Sequence, residues 1–407
     1  MKEWKHIPQH EAFEQWLDKA AARGPDRVIP SSVAIAATKD GIIYSHSSGT
    51  QSEDPASPLY DKPINPDNVI WIASATKLMT VISILQLLEK GLVDLDADLD
   101  AVLPELSDLE VFKGFNEDGS PIYEKAKQKI TTRMLLTHQS GMGYEFFQPY
   151  IDQIRSHKEK LGQAVPSKLA WESKLNPLLG QPGEIWNYGA SYEILGRLIE
   201  RLTHTTLNAY MQTHIWDPLS MTHTSFSSSS PSVAPFLADA AFRGEDGSII
   251  PSPNHFFPDV IEFDSGGAGL FTSSGDYAKL MSAVLRDDGT LLKPETMAML
   301  FEPQLSPEIQ KFFDASVYIA GAEVMSHSLE REARLTHALG GGLCQADVEG
   351  RRRGGTLMWA GLANCYWTVD REKGVALFWG SQVMPTSDKE VIDGFRRFEE
   401  AVYKGSV

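Results

Sequence analysis

The sequence predicts an α/β (α+β) protein: one antiparallel sheet built from both ends of the chain, with helices packed on it. Three observations carry that expectation. The N-terminal stretch reads helix, hairpin, helix; the middle reads mainly helical; the C-terminal stretch returns to strands and closes on a helix. The expected division is a discontinuous α/β unit of residues 1–105 and 266–407 around an inserted, mainly helical subdomain of residues 106–265.

In chain order, the first helix spans His10–Ala22, where Phe13, Trp16, Leu17 and Ala20 fall near a 3.6-residue period. "SVAIAATKDGIIYSHSSG" reads as a hairpin turning at Asp40-Gly41, a dipeptide suited to positive φ. The strongest helix runs from Ala75 to Lys90, with Leu78, Val81, Ile82, Leu85 and Leu88 apolar and Gly91 as its stop. Helical patterns follow at Thr132–His138, Ser191–Thr203 and Leu207–Ile215, and "SFSSSSPS" (225–232) reads as an exposed loop. After "GGAGLFTS" the pattern turns to strands: "GGTLMWAG", "ANCYWTVD" and "KGVALFWGSQV". Val391, Ile392, Phe395, Phe398 and Val402 mark a closing amphipathic helix.

With 407 residues and 42% apolar content, the chain can bury a sizeable core unaided. A net charge of -17 argues against nucleic-acid and anionic-membrane partners, which need basic surfaces. The two cysteines, Cys344 and Cys365, form no Cys-x-x-Cys motif and read as free buried thiols. The N-terminus lacks the apolar core of a signal peptide and no stretch approaches a membrane span, so a cytoplasmic protein is expected. No metal site or cofactor is expected.

"ASATKLMTVISILQLLEKG" (73–91) holds the chain's one Ser-x-x-Lys, Ser74 and Lys77, at the start of the strongest helix. Ser74 can be a helix cap. Equally, residues three apart share a helix face, so a serine hydroxyl and a lysine amine can meet there as nucleophile and base. Amides at a helix start can also stabilise an oxyanion. Lys77 falls in a run otherwise suited to burial, and a buried lysine without a task is unusual.

"SATK", "LLTHQSG" (135–141), "PGEIWNYGA" (182–190), "IWDPLSMTHTSF" (215–226) and "GGAGLFTSSGDYAKLM" (266–281) occur in that order. The ordered set resembles the class C β-lactamase and penicillin-binding-protein superfamily, in its esterase and acyltransferase branch. More closely, "ASATKLMT", "GLVDLD" and "KITTRMLLTHQSG" resemble fungal lovastatin-type acyltransferases of polyketide pathways. The resemblance implies a β-lactamase-like fold, Ser74 as nucleophile, Lys77 as its base, and Tyr188 as a phenol that shares the proton traffic. It also implies an oxyanion hole from the backbone N–H groups of Ser74 and Leu362. Two departures stand out. The superfamily's Tyr-x-Asn is Tyr188-Gly189-Ala190 here, and its Lys-Thr-Gly strand aligns with Trp359-Ala360-Gly361. Loss of that lysine removes the cation that anchors a β-lactam carboxylate.

The implied reaction moves an acyl group from a thioester, on a carrier protein, coenzyme A or a small thiol, to an alcohol of a polyketide-like metabolite. Water in place of the alcohol gives a carboxylesterase or thioesterase, and a non-catalytic binding scaffold is the third alternative. Tyr144, Phe146 and Phe147 in "GYEFFQPY", the segment "NHFFPD" (254–259), Trp359 and Gly361 are candidates for the substrate wall, or else ordinary packing residues. "EGRRRGG" (349–355) reads as a solvated turn, and His138 as a hydrogen-bonded core histidine.

Overall fold

Strand β1 (Ser31–Thr38) turns at Asp40-Gly41 into β2 (Gly41–Gly49), with Thr38 opposite Gly41 and Gly41 at φ 119°. The computed structural model describes residues 8–252, 257–258, 262–319, 321–329 and 331–405. Five further strands come from the other end of the chain: β3 (Leu335–Ala338), β4 (Gly341–Cys344), β5 (Leu357–Gly361), β6 (Cys365–Asp370) and β7 (Val375–Gly380). The sheet order is β3-β4-β5-β6-β7-β1-β2, antiparallel throughout. The β1–β7 pairing, Ala34 opposite Trp379, joins the two ends of the chain.

Alternation along β1 decides what covers each face. Ala34 and Ala36 pack with Phe13 and Leu17 of α1 (Pro8–Ala21) and with Phe395 and Phe398 of the C-terminal helix, Lys389–Gly405. Val33 and Ile35 face the larger core, with residues of α2 (Lys77–Glu89), α3 (Ser191–Thr203) and α4 (Ser274–Arg286). The helix at Lys389–Gly405 is α5. Lys77 through Leu87 are all buried, so α2 is a central helix covered on every side rather than one with a single apolar stripe.

The antiparallel sheet built from both ends of the chain and flanked by helices stands, with four corrections to the sequence reading. After "GGAGLFTS" the chain runs through helices 274–286, 294–299, 307–317 and 323–326 before the strands begin at Leu335. The middle also holds a hairpin, Glu110–Phe115 with Pro121–Lys125, around an Asp118-Gly119 turn. "SFSSSSPS" is mostly covered: Ser225 pairs with Phe271 in a short strand, and Ser225, Phe226 and Ser228 are buried. "EGRRRGG" lies in the turn between β4 and β5 and is exposed at Glu349, Gly350, Arg353 and Gly355, but it is not solvated throughout. Arg352 is wholly buried and, with Arg351, binds Glu399 of α5. Of the three arginines, Arg353 is the exposed one, paired with Asp347. Among the described residues, no helix is long and apolar enough to cross a membrane.

Candidate active site

The short strand Val69–Trp71 pairs with Phe271–Ser273 and leads into a sharp turn. Ala73 takes φ 44°, the left-handed region that a residue with a Cβ avoids. Its methyl is locked among Val69, Trp71, Phe271 and Ala363. A 3-10 turn, Ala73–Thr76, then runs into α2. Ile72 holds the cap position of that turn and no side chain caps it, so Ser74 is not a helix cap.

The Ser74 hydroxyl instead meets two groups. Lys77 Nζ lies 3.2 Å from Ser74 Oγ, and Tyr188 OH lies 2.7 Å from it. Lys77 is only 4% exposed and also donates to Gly267 O at 2.8 Å and Tyr144 OH at 3.2 Å. Its ammonium stands 4.9 Å from the centre of the Tyr188 ring. The loop ahead of α3 fixes Tyr188. Asn187 Nδ2 donates to Met142 O at 2.8 Å, and a Cβ at Gly189 would stand 2.2 Å from that same oxygen, so only glycine fits.

β5 runs past the nucleophile turn at close quarters. A Cβ on Gly361 would stand 2.2 Å from Ile72 O. Leu362 follows directly and lines the same cavity as Ser74. Ser74 sits in the first turn, where backbone N–H groups have no intrahelical acceptor.

The cavity has a volume of about 730 Å³, within the range of small-molecule sites. Tyr144, Phe146, Phe147, Trp359 and Gly361 all line it. They are not equivalent. Trp359 is buried against the Tyr188 ring at 5.6 Å, while Phe146 and Phe147 are 61% and 49% exposed. Tyr144 is buried, and its hydroxyl serves Lys77 and the Glu193 carboxylate rather than only forming a wall. Phe257 lines the cavity against Trp71 at 5.3 Å. Residues 254–256 and 259 of "NHFFPD" lie outside the described residues.

Sequence reasoning missed Glu193, Ser265 and the Gly267 carbonyl. One signal was available: Glu193 is the acidic residue in the otherwise uncharged, buried run Ser191–Gly196 of α3. His138 is a core residue, but neither ring nitrogen has a hydrogen-bond partner. Rings surround it instead, Tyr188 at 4.7 Å and Tyr192 at 5.3 Å. Burial, with His337 and Lys77 nearby, pushes its pKa well below 6.5, so it is neutral.

The Beta-lactamase family matches residues 14–401. The chain belongs to the β-lactamase family. It is an enzyme of the acyltransferase and esterase branch and acts on small molecules. A monacolin J acid methylbutanoyltransferase of Aspergillus terreus is 34% identical over 95% of this chain and 98% of the relative. A lovastatin esterase of Penicillium rubens is 32% identical over 83% of this chain and 86% of the relative. Unliganded simvastatin synthase from Aspergillus terreus superposes with a TM-score of 0.85 at 32% identity, covering 98% of each chain. In this β-lactamase-family enzyme, Ala190 holds the N-cap position of α3 with no side-chain cap, and Trp359 lies in the middle of β5.

Proposed function

We propose that the enzyme transfers an acyl group from a thioester donor to an alcohol of a polyketide-like metabolite through an acyl-Ser74 intermediate. The observation that carries this reading is the convergence of Lys77 and Tyr188 on one serine hydroxyl inside an aromatic-lined cavity. Ser74 Oγ attacks the thioester carbonyl, and its proton passes to the Lys77/Tyr188 pair. The tetrahedral oxyanion rests on the backbone N–H groups of Ser74 and Leu362. The C–S bond breaks and the leaving thiolate takes the proton. The acceptor alcohol then gives its proton to Tyr188, attacks the acyl carbon, and displaces Ser74 Oγ, which is reprotonated.

Trp359, Gly361, Phe146 and Phe147 are the proposed substrate wall. The donor rides on a carrier protein, coenzyme A or a small thiol. The similarity to a methylbutanoyltransferase supports a short branched acyl group and a polyketide acceptor. The cytoplasm is the proposed compartment, supported by two free buried thiols, Cys344 and Cys365.

The similarity to a lovastatin esterase favours a second reading, hydrolysis by the same machinery. Incubation with 2-methylbutanoyl thioesters, with and without monacolin-type alcohols, separates the two. Ester formation that outruns free-acid release supports transfer. Free acid at an unchanged rate, with no ester from any alcohol, supports hydrolysis. Absence of any Ser74 adduct with an acylating probe leaves only a binding scaffold.

A further inference from the structure

We propose that Glu193 is a positioning residue of this site, acting through Tyr144 to aim the Lys77 amine at Ser74. The proposal rests on the Ser74–Lys77–Tyr188 reading above. As an ammonium, Lys77 has three N–H bonds, and three acceptors surround it: Gly267 O at 2.8 Å, Ser74 Oγ at 3.2 Å and Tyr144 OH at 3.2 Å. Carbonyl oxygen can only accept. A phenol can accept or donate, so Tyr144 is a dependable acceptor only when its single proton is engaged elsewhere.

Glu193 engages it. Tyr144 OH lies 3.3 Å and 3.2 Å from the two carboxylate oxygens. Burial, reinforced by the Glu193 charge, pushes the Tyr144 phenol well above its ordinary 10.0, so it keeps that proton and stays a donor to the carboxylate. Its lone pairs then face Lys77. The same carboxylate also reaches the other acceptor segment. Ser265 Oγ donates to Glu193 Oε1 at 3.0 Å, and a Cβ on Gly267 would stand 2.3 Å from that oxygen. Ser265 and the Gly267 segment thus hold the carboxylate in register with Tyr144, and Tyr144 OH together with Gly267 O leaves Ser74 as the third direction for the amine.

Glu193 is 4% exposed, and among the described residues no Lys, Arg or His nitrogen forms a salt bridge with it. A buried carboxylate without a direct cation is costly, so its place one phenol away from Lys77 calls for a role.

The test measures kcat, KM and the acylation rate of Ser74 with a p-nitrophenyl ester, for Glu193→Gln, Tyr144→Phe and the double variant. Glu193→Gln keeps the side-chain shape but can present its amide to the phenol. We expect each single variant to lose about 10–100-fold in kcat with KM within roughly twofold, as misplacement near the chemistry does. The double variant falls no further, because Glu193 acts only through Tyr144. Should Glu193→Gln fail to fold, Ser265→Ala gives the second reading, with about threefold lower kcat in wild type and none in the Tyr144→Phe background. Wild-type kcat in Glu193→Gln, or losses that multiply, overturns the proposal. Retained turnover in Ser74→Ala or Tyr188→Phe instead overturns the underlying reading, so the two failures are distinct.

Discussion

Arg352 and Lys77 are both buried cations, and their surroundings differ in kind. Arg352 donates from Nε and Nη2 to both oxygens of Glu399, at 2.6 and 2.9 Å, and Arg351 adds a third bond at 2.6 Å. Its charge is met directly, by a planar fork on a carboxylate. Among the described residues, no carboxylate forms a salt bridge with Lys77. Its partners are two hydroxyls and one carbonyl, and the nearest engaged carboxylate lies beyond a phenol. Direct pairing fixes a charge in place and suits an anchor between the β4–β5 connection and α5. A lysine held by neutral oxygens has no carboxylate pinning it in place, which suits a group working at Ser74.

The most severe way to probe this contrast is to remove the nucleophile. Ser74→Ala should cut turnover about 10⁴-fold or more and abolish the mass adduct left by an acylating probe. Lys77→Ala and Tyr188→Phe should each lose about 10²–10⁴-fold in kcat, with an unchanged far-UV circular dichroism spectrum. Normal rates in both would erase the distinction between the two cations. Glu399→Gln acts on the other side of the comparison. It leaves two buried guanidiniums short of their counter-charge and should cost about 3–5 kcal/mol of stability in urea unfolding. The kcat of the remaining folded fraction should be preserved.

Acid should weaken the anchor as well. Desolvation pushes Glu399 up, but Arg352 and Arg351 together outweigh it and hold the carboxyl below its ordinary 4.5. Its contribution is therefore present above pH 4.5 and lost as pH falls through the lower folded value. Burial holds His337 down at about 3 from 6.5, so its share is full above pH 6.5 and drains away toward pH 3. The urea midpoint should accordingly fall on acidification from pH 7, and Glu399→Gln should flatten the part below pH 4.5. The smallest effect belongs to the mouth of the cavity. Phe146→Ala or Phe147→Ala should raise the acceptor KM a few-fold and leave kcat nearly unchanged, as loss of uniform binding does.

The sequence announced one of the two cations and hid the other. Ser74 and Lys77 are three residues apart on one helix, a local relation that periodicity exposes. The Arg351–Arg352–Glu399 cluster joins residues 47 or 48 positions apart, and an arginine run in a Gly-flanked segment looks like solvent-facing charge until the fold closes over it. The same reason hid Glu193, whose partners lie on distant loops. β5, β6 and β7 were legible because their apolar runs are buried on both faces, whereas β3 and β4 are short and meet at a glycine run, 340–342, whose last two residues open β4. The hairpin at 110–125 was masked by charged residues along both strands.

Ala73 leaves one more mark on the molecule. Its left-handed backbone is a conformation that an L-residue adopts at a cost of about 1–2 kcal/mol, and glycine would relieve it. Selecting variants for heat tolerance alone should therefore enrich glycine at position 73, while selecting for turnover should keep the methyl that wedges the hydroxyl-bearing elbow in place. A library sorted both ways would draw apart at this single codon.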